Sequence, residues 1–391
     1  MKIERDIPQK GKFDVIVVGG GIAGVSAAVA ASRAGAKTLL IEKGINLGGL
    51  ATMGLISWYE PLCDGEGQQM IFGICQELIR LACRYGFDNL PPEWGGDGRN
   101  KSRNQRFSTY YSPGIFAAAL DGFVTDNGVS LRFDTLATHP VMEGGRCKGL
   151  IVESANGSEF FEADLFIDAT GDAGLMHRAG VPTVNGQNYM TYIAHGYTMD
   201  GVQKLAGDGD ICAFRKWINA GSNLNGKGHP EGMAKVSGTT AEEITDFIVT
   251  GKKRMLDRIS QTDKNSFDLM MIPSMPQLRT IRRIVGNTDF RGIDREEFAD
   301  SIGTCGDFRG RHIGKHYQIP FGSLWNRDFP NLIACGRIIS APSGDGWEVS
   351  RVIPVCALTG EAAGKAAALC VKDGKQLTDL AQADIEKIKI N

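Results

Sequence analysis

Three glycines and one carboxylate carry the first chemistry readable in this chain. Gly19, Gly21 and Gly24 stand in the run VVGGGIAG (17–24), between the valine-rich apolar stretch 13–18 and a small-residue segment, 22–34, that stops at Gly35. In a strand–turn–helix unit Gly19 permits the tight bend, Gly21 lets the backbone approach a ligand and Gly24 lets the helix lie against the strand. The helix N-terminus, at Ile22 and Ala23, then offers free N–H groups and its dipole to negative charge. A second strand, 37–41, ends at Glu42, eighteen positions beyond Gly24, followed by Lys43. Its carboxylate is placed to accept from ribose hydroxyls and disfavours a ribose 2′-phosphate. The unit is a site for a nucleotide pyrophosphate, and by itself it leaves NAD and FAD both open.

Further pieces enlarge the site. Gly48, Gly49, Leu50, Ala51 and Thr52 follow the second strand, and the glycine pair lets backbone reach a planar ligand that extends beyond the pyrophosphate. Two more apolar strands, 165–170 and 331–335, end in Thr170-Gly171-Asp172 and in Gly336-Arg337. Both ends suit a cofactor crevice at the carboxyl edge of a sheet. A site assembled from residues near 19, 49, 171 and 336 fits a large resident dinucleotide better than a travelling one. No second GxGxxG follows a strand and no CxxxxC occurs, so neither a separate nicotinamide site nor a redox disulfide is expected.

An oxidation that removes hydride from an alcohol, amine or saturated carbon also needs a group to take the proton. His195, His316, Tyr317, Asp345 and Glu348 are the candidates. His316 and Tyr317 are preferred as catalytic because they lead directly into the segment returning to the cofactor. Arg279, Arg282 and Arg283 form a cationic group that reads equally as an anchor for a substrate carboxylate, as a contact to cofactor phosphate, or as a solvated face with internal ion pairs. His312 and His316 lie four apart, but Gly314 between them weakens the helix that would align them, and no metal is expected.

These residues require an α/β architecture: a Rossmann-like dinucleotide-binding domain with a parallel sheet and a β-meander, plus a second, α+β substrate domain. The expected cofactor domain is discontinuous, over 12–50, 113–180 and 325–375, and the substrate or cap region covers 51–112 and 181–324. A helix is expected over 113–126 and a strand over 129–133. Hairpins are expected over 134–164, where Gly144-Gly145 and Asn156-Gly157 punctuate short runs, and a helix over 240–258. At the C-terminal end Ser350 reads as a cap and 357–369 as an alanine-rich helix, with Pro354 suited to a first turn.

Composition sets outer limits. The chain has 391 residues, 42% hydrophobic and 23% charged, with 51 glycines and a formal net charge of -2. That is enough chain for more than one core, and the charge gives no reason to expect nucleic acid or an anionic membrane as partner. Nine scattered cysteines form no metal or cluster spacing and read as free thiols. The first fifteen residues lack an apolar signal core and no run of eighteen apolar residues occurs, which predicts a cytoplasmic protein without a membrane span.

The segments IDATGDAGLMHRAGVP (167–182), LRTIRRIVG (278–286), YQIPFGSL (317–324), NLIACGRIIS (331–340) and SRVIPVCALTGEAAGKAAAL (350–369) resemble the FAD-dependent oxidoreductases of the FAD_oxidored family. Those flavoproteins are similar in cofactor domain to the flavin subunits of fumarate reductase and heterodisulfide reductase. The resemblance extends over almost the whole chain, in the family's order. It implies that FAD is the cofactor, with Gly19, Gly21 and Gly24 at its pyrophosphate and Glu42 at the adenosine ribose. Gly49 and Thr52 would approach the flavin side, and Gly171 and Asp172 would lie near the pyrophosphate. Gly336 and Arg337 would close the crevice, and Arg351, counted with His316 and Tyr317 as catalytic, would with Val352 start the last helix beside the isoalloxazine. The loop 342–348 departs from the family pattern, which leaves substrate choice open. The implied activity is hydride exchange between FAD and a small organic substrate, an anion among the options, with an unidentified electron partner. An electron-relay subunit of a larger complex and an FAD-dependent tRNA-modifying protein are the alternatives, and association with a second copy stays open.

Overall fold

The computed structural model describes residues 4–96 and 106–390, apart from the side chain of Arg311. Residues 97–105 of the expected cap region lie outside the described residues. The chain opens with β1 (Gln9–Val18), α1 (Ile22–Arg33) and β2 (Thr38–Ile41). After a 3₁₀ turn at Gly49–Ala51 come β3 (Trp58–Tyr59), α2 (Ile74–Arg84), β4 (Thr109–Tyr110), which pairs with β3, α3 (Pro113–Asp126) and β5 (Ser130–Arg132). The meander β6 (Leu136–Glu143), β7 (Arg146–Ser154) and β8 (Gly157–Asp168) follows, turning at the expected Gly144-Gly145 and Asn156-Gly157 positions.

One sheet collects these strands in the order β5-β2-β1-β8-β7-β6. β5, β2, β1 and β8 run parallel, with Val15 beside both Thr38 and Leu165 and Val18 beside Ile41 and Asp168. The expected strand over 165–170 is the second half of a longer one. The first half of β8 alternates in burial and pairs with β7, whereas its last four residues are all buried and take β16 (Leu332–Ala334) on the edge that β7 vacates. The β1, β2, β8 and β16 ends therefore lie side by side at the carboxyl edge, where an open α/β sheet binds ligands.

Between β8 and β16 the chain builds a second layer. α4 (Gly174–Arg178) and β9 (Thr183–Asn185) lead to β10 (Ile193–Thr198), α5 (Met199–Asp208), α6 (Ile211–Phe214), β11 (Lys216–Asn219), α7 (Ala241–Ser260) and β12 (Phe267–Met271). β11-β10-β12 form an antiparallel sheet. α7 starts where the sequence predicts, with the Thr240 hydroxyl accepting from the Glu243 N–H. β13 (Arg282–Ile284) pairs with β9, and β14 (Ser301–Gly306) with β15 (His316–Pro320).

After β16 come α8 (Asp345–Ser350), α9 (Ile353–Asp373) and α10 (Gln382–Ile388). Here one expectation is corrected. Ser350 does not cap the last long helix; it ends α8, its hydroxyl donating to the Trp347 carbonyl, and Val352 is the residue before α9. Pro354 sits in the first turn of α9, where its missing N–H costs nothing. α9 is long and apolar enough to cross a membrane, yet it is mostly buried inside this fold. It packs backbone to backbone on α1. A Cβ on Gly360 would stand 2.1 Å from the Ala23 carbonyl oxygen, and one on Gly364 2.2 Å from that of Ala27. The small residues of both helices thus fix the depth at which α9 brings its N-terminus to the sheet edge.

Candidate cofactor and substrate site

The turn after β1 is built as its glycines require. Gly19 has φ 100, and a Cβ there would lie 2.6 Å from the Ala169 carbonyl oxygen. A Cβ on Gly24 would lie 1.8 Å from the Gly19 carbonyl oxygen, so helix and turn touch. Gly21 differs from both. Its φ is -66, and a Cβ there would meet nothing within 4 Å. This open space lies at the N-terminus of α1, where Ile22 and Ala23 open the helix with no side-chain cap and no acidic residue in the first turn. The cradle is shaped for an anion held by backbone N–H groups.

Glu42 leaves β2 and accepts from the Gly20 and Gly44 N–H groups, each at 2.7 Å and each on a different oxygen. The carboxylate is fixed in place, and each oxygen keeps a lone pair for a ribose hydroxyl. Lys43 is exposed beside it. Gly48 bridges to Gly21 in parallel fashion and donates to the Gly20 carbonyl at 2.8 Å. Gly49 has φ 56 and lies against Gly21; Leu50 and Ala51 complete the 3₁₀ turn. Thr52 is buried and donates to the Leu47 carbonyl at 2.5 Å, which gives its hydroxyl a turn-holding bond. The Tyr111 hydroxyl ties the Ala51 carbonyl at 2.8 Å.

At the end of β8 the buried Asp168 accepts from the Thr170 backbone N–H and hydroxyl and from the Met176 N–H. Burial nevertheless pushes its carboxyl up to about 6. Gly171 has φ 76, and Asp172 accepts from the Gly174 N–H at 2.8 Å. Arg337 clamps this turn, donating from Nε to the Gly171 carbonyl at 2.7 Å and from Nη1 to the Leu278 carbonyl at 2.5 Å. Gly336, with φ 75, lies against Ala23 and donates to the Thr359 hydroxyl at 3.0 Å. The ends of β8 and β16, the head of α1 and the first turns of α9 are thereby joined.

Positive charge gathers beside them. Among the described residues Arg279, Arg337 and Arg351 have no carboxylate within ion-pair distance. Burial lowers the affinity of all three guanidiniums for their protons, and repulsion from Arg351 adds to it at Arg279, which falls to about 10. Arg351 occupies the break between α8 and α9, its guanidinium carbon 5.0 Å from the Trp347 ring centre and its Nε buried without a hydrogen-bond partner among the described residues. Next to it Val352 leads into α9, where Ile353 N–H donates to Glu60 at 3.2 Å. Burial pushes the Glu60 carboxyl up to about 7, against the pull of that bond and of Arg351. Half-buried cations without a carboxylate in ion-pair reach are costly, and an anion bound among them offsets part of the cost.

The second layer docks on the turn through hydrogen bonds. His195 Nε2 donates to the Leu55 carbonyl at 2.9 Å, Gln277 Nε2 to the Gly54 carbonyl at 2.7 Å, and Ser274 N–H to the Met53 carbonyl at 3.0 Å. Leu55 itself holds φ 60, a conformation that this docking maintains.

The sequence as a whole matches a known family. The model of the family described as FAD dependent oxidoreductase matches residues 14–242 and 224–389. The chain belongs to that family. No curated protein sequence matches it. Its fold is similar to that of p-nitrophenol 4-monooxygenase from Pseudomonas putida DLL-E4, with a TM-score of 0.54, 10% identity, and 97% of this chain and 84% of that chain covered. It is also similar to the myxobacterial chondrochloren halogenase, an FAD-dependent halogenase, with a TM-score of 0.51, 16% identity, and coverage of 97% and 78%. At such identities the likeness concerns the fold. The protein is an FAD-dependent oxidoreductase with a Rossmann-like cofactor fold, and the open cradle at Gly21, the fixed Glu42 and the arginines without a carboxylate partner among the described residues fit the phosphates and ribose of FAD.

The residues proposed for proton handling lie in a different setting. Tyr317 is fully buried in β15, its hydroxyl donating to Asp307 at 2.8 Å. Asp307 also accepts from Arg309 and His312, and these bonds hold its carboxyl down to about 2. Arg309 reaches on to Asp345 at 2.7 Å and Glu348 at 2.6 Å. Tyr317, Asp345 and Glu348 therefore meet in one ion network that pins α8, the helix ending beside Arg351. His316 pairs with Asp64 at 3.2 Å on another loop. Neither His316 nor Tyr317 bonds to the glycine turn. The sequence reading left out Glu60, Gln277, Asp307 and Arg309. Their roles depend on partners up to hundreds of positions away, and no local spacing marks them. Gly360 and Gly364 did carry a readable signal, two glycines four apart in a small-residue helix.

Proposed function

We propose that this enzyme exchanges a hydride between FAD and a small organic substrate held between the flavin and the β11-β10-β12 layer. The observation that carries the proposal is the docking of that layer on the Met53–Leu55 turn, because it ties His195, and through Gln277 the Arg279 segment, to the turn that follows Gly49 and Thr52, which the resemblance directs toward the flavin. FAD, when bound, supplies the two-electron acceptor. The protein's own share is positional. Gly19, Gly21 and Gly24 with the head of α1 receive the pyrophosphate, and Glu42 orients the ribose. Arg337 keeps the Gly171 turn closed. The N-terminus of α9, fixed in depth by Gly360 and Gly364, brings the positive end of the helix dipole to the flavin end, which favours electron uptake there.

The test is anaerobic addition of small alcohols, amines and hydroxy acids, and separately of NADH, to FAD-loaded protein while flavin absorbance is followed. Bleaching by an organic compound but not by NADH is the expected result. Bleaching by NADH alone would remove the proposed substrate class.

A further inference from the structure

We infer that the substrate is an organic anion with an O–H or N–H on the carbon to be oxidised, its charge met by Arg279 and Arg351 and its donor by His195 Nδ1. This rests on the hydride-transfer reading above and names the substrate that the same site would take.

The tautomer of His195 follows from chemistry. Nε2 faces the Leu55 carbonyl, which can only accept, so Nε2 carries the proton and Nδ1 of the neutral ring is a bare acceptor. His195 is 1% exposed, and its Nδ1 is buried with no hydrogen-bond partner among the described residues. Its neighbours do not supply one. Trp217, opposite it in β11, stacks on the ring at 6.2 Å between centroids, and Tyr110 in turn packs edge-on against Trp217. A buried acceptor this well fixed, without a donor among the described residues, suits an incoming donor.

Charge supplies the second half. Arg279 and Arg351 are desolvated and neither has a carboxylate within ion-pair distance among the described residues; Arg351 repels Arg279 and is itself attracted at longer range by Glu60 and Glu348. Arg279 is tied only loosely, by a 3.4 Å bond to the Ser222 carbonyl. Gln277 joins the two halves. Its side chain bonds the Gly54 carbonyl and both the N–H and the carbonyl of Ile193, so the Arg279 segment, the strand carrying His195 and the Met53–Leu55 turn move as one unit.

The two features also depend on each other chemically. Burial and the nearby Arg215 hold His195 down to about 4, so an imidazolium is disfavoured there. A substrate carboxylate bound beside the ring would offset the field of Arg215 and make Nδ1 a better proton acceptor. In the oxidation of a hydroxy acid, the O–H proton would pass to Nδ1, and FAD, when bound, would supply the two-electron acceptor for the hydrogen leaving the same carbon. The carbon–oxygen double bond forms from the electrons of the O–H bond, and an amine yields the imine by the same balance. His195 is then the catalytic residue, touching the reacting oxygen or nitrogen.

Two acids that cannot be oxidised at that carbon separate the claims: isobutyrate and 2-hydroxyisobutyrate, with neutral isobutyramide as control. Binding to FAD-loaded protein is read from perturbation of the flavin spectrum. The hydroxy acid should bind roughly 2- to 10-fold more tightly than isobutyrate, as one hydrogen bond allows. That preference should vanish in His195→Phe and in His195→Leu. Arg279→Met should weaken both acids about 10-fold or more, and Arg279→Lys should restore much of the loss. Equal binding of the amide, no binding of either acid, or a hydroxyl preference that survives loss of the imidazole would overturn the inference. A protein that binds the acids as expected yet is reduced only by NADH would keep this anion site and contradict the hydride-transfer reading instead.

Discussion

Replacing Gly21 by valine separates binding from folding in a way the other motif glycines do not. At Gly21 the backbone is extended, with φ -66, and a Cβ meets nothing within 4 Å, so the native chain accommodates a side chain there. The expected cost to the apoprotein is the weaker N-cap preference, about 1 kcal/mol. That shifts the melting temperature by no more than about 2–4 °C. The same side chain occupies the space at the head of α1 that the pyrophosphate needs. Loss of two charge-assisted hydrogen bonds at about 1.5–3 kcal/mol each amounts to about 3–6 kcal/mol, or roughly 10²- to 10⁴-fold in FAD affinity. Gly24→Ala is the contrasting variant. Its Cβ would lie 1.8 Å from the Gly19 carbonyl oxygen, so it should destabilise the fold itself by at least the 1–3 kcal/mol typical of overpacking, approximately. Thermal melts of both apoproteins, with FAD titrations followed by flavin fluorescence, check the pair. Wild-type FAD affinity in Gly21→Val would refute the reasoning, as would an apoprotein of that variant as unstable as Gly24→Ala.

Three further outcomes are expected. Gly364→Val, whose Cβ would stand 2.2 Å from the Ala27 carbonyl oxygen, should push α9 off α1 and lower the melting temperature even without FAD; a melting curve like wild type would sink the backbone-contact argument. Asp307 is held down to about 2 from an ordinary 3.8, so its contribution is present above pH 3.8 and lost as pH falls toward 2. Asp307→Asn should cost about 2 kcal/mol at neutral pH and flatten that acid limb in urea unfolding. Glu60 shows the opposite sign. Raised to about 7 from an ordinary 4.5, it contributes stability that is full below pH 4.5 and lost as pH rises through 7. Glu60→Gln should therefore gain on wild type by about 3 kcal/mol between pH 4.5 and 8 in the apoprotein, and parallel pH profiles of the two would rule this out.

How far the sequence alone reached follows from how local each signal is. The β1–α1–β2 unit was legible because its tight bend, close helix and acidic strand end are each imposed by residues within about one βαβ length. Asn156-Gly157 and Gly144-Gly145 announced the meander for the same reason. β8 was read too short because its two halves follow different patterns, alternating where β7 covers one edge and fully buried where β16 does. Ser350 suggested a cap from its type alone, whereas the break at Arg351-Val352 depends on α8 being pinned by Arg309 from β14's far end. His195 was one candidate among five in the sequence. What distinguishes it, a carbonyl on one ring nitrogen and no partner among the described residues on the other, exists only once β10 meets Leu55 across 140 positions. Tyr317 gave the converse lesson, since its neighbours in sequence lead back to the cofactor fold while its hydroxyl is committed to Asp307.

The most direct test of the account is the flavin content of the purified protein, taken from its absorption spectrum and from the flavin released on denaturation, with Gly21→Val measured alongside. One FAD per wild-type chain, and little or none in the variant, is the predicted result. A wild-type protein that is colourless and takes up no added FAD, or a variant that retains FAD in full, would contradict it.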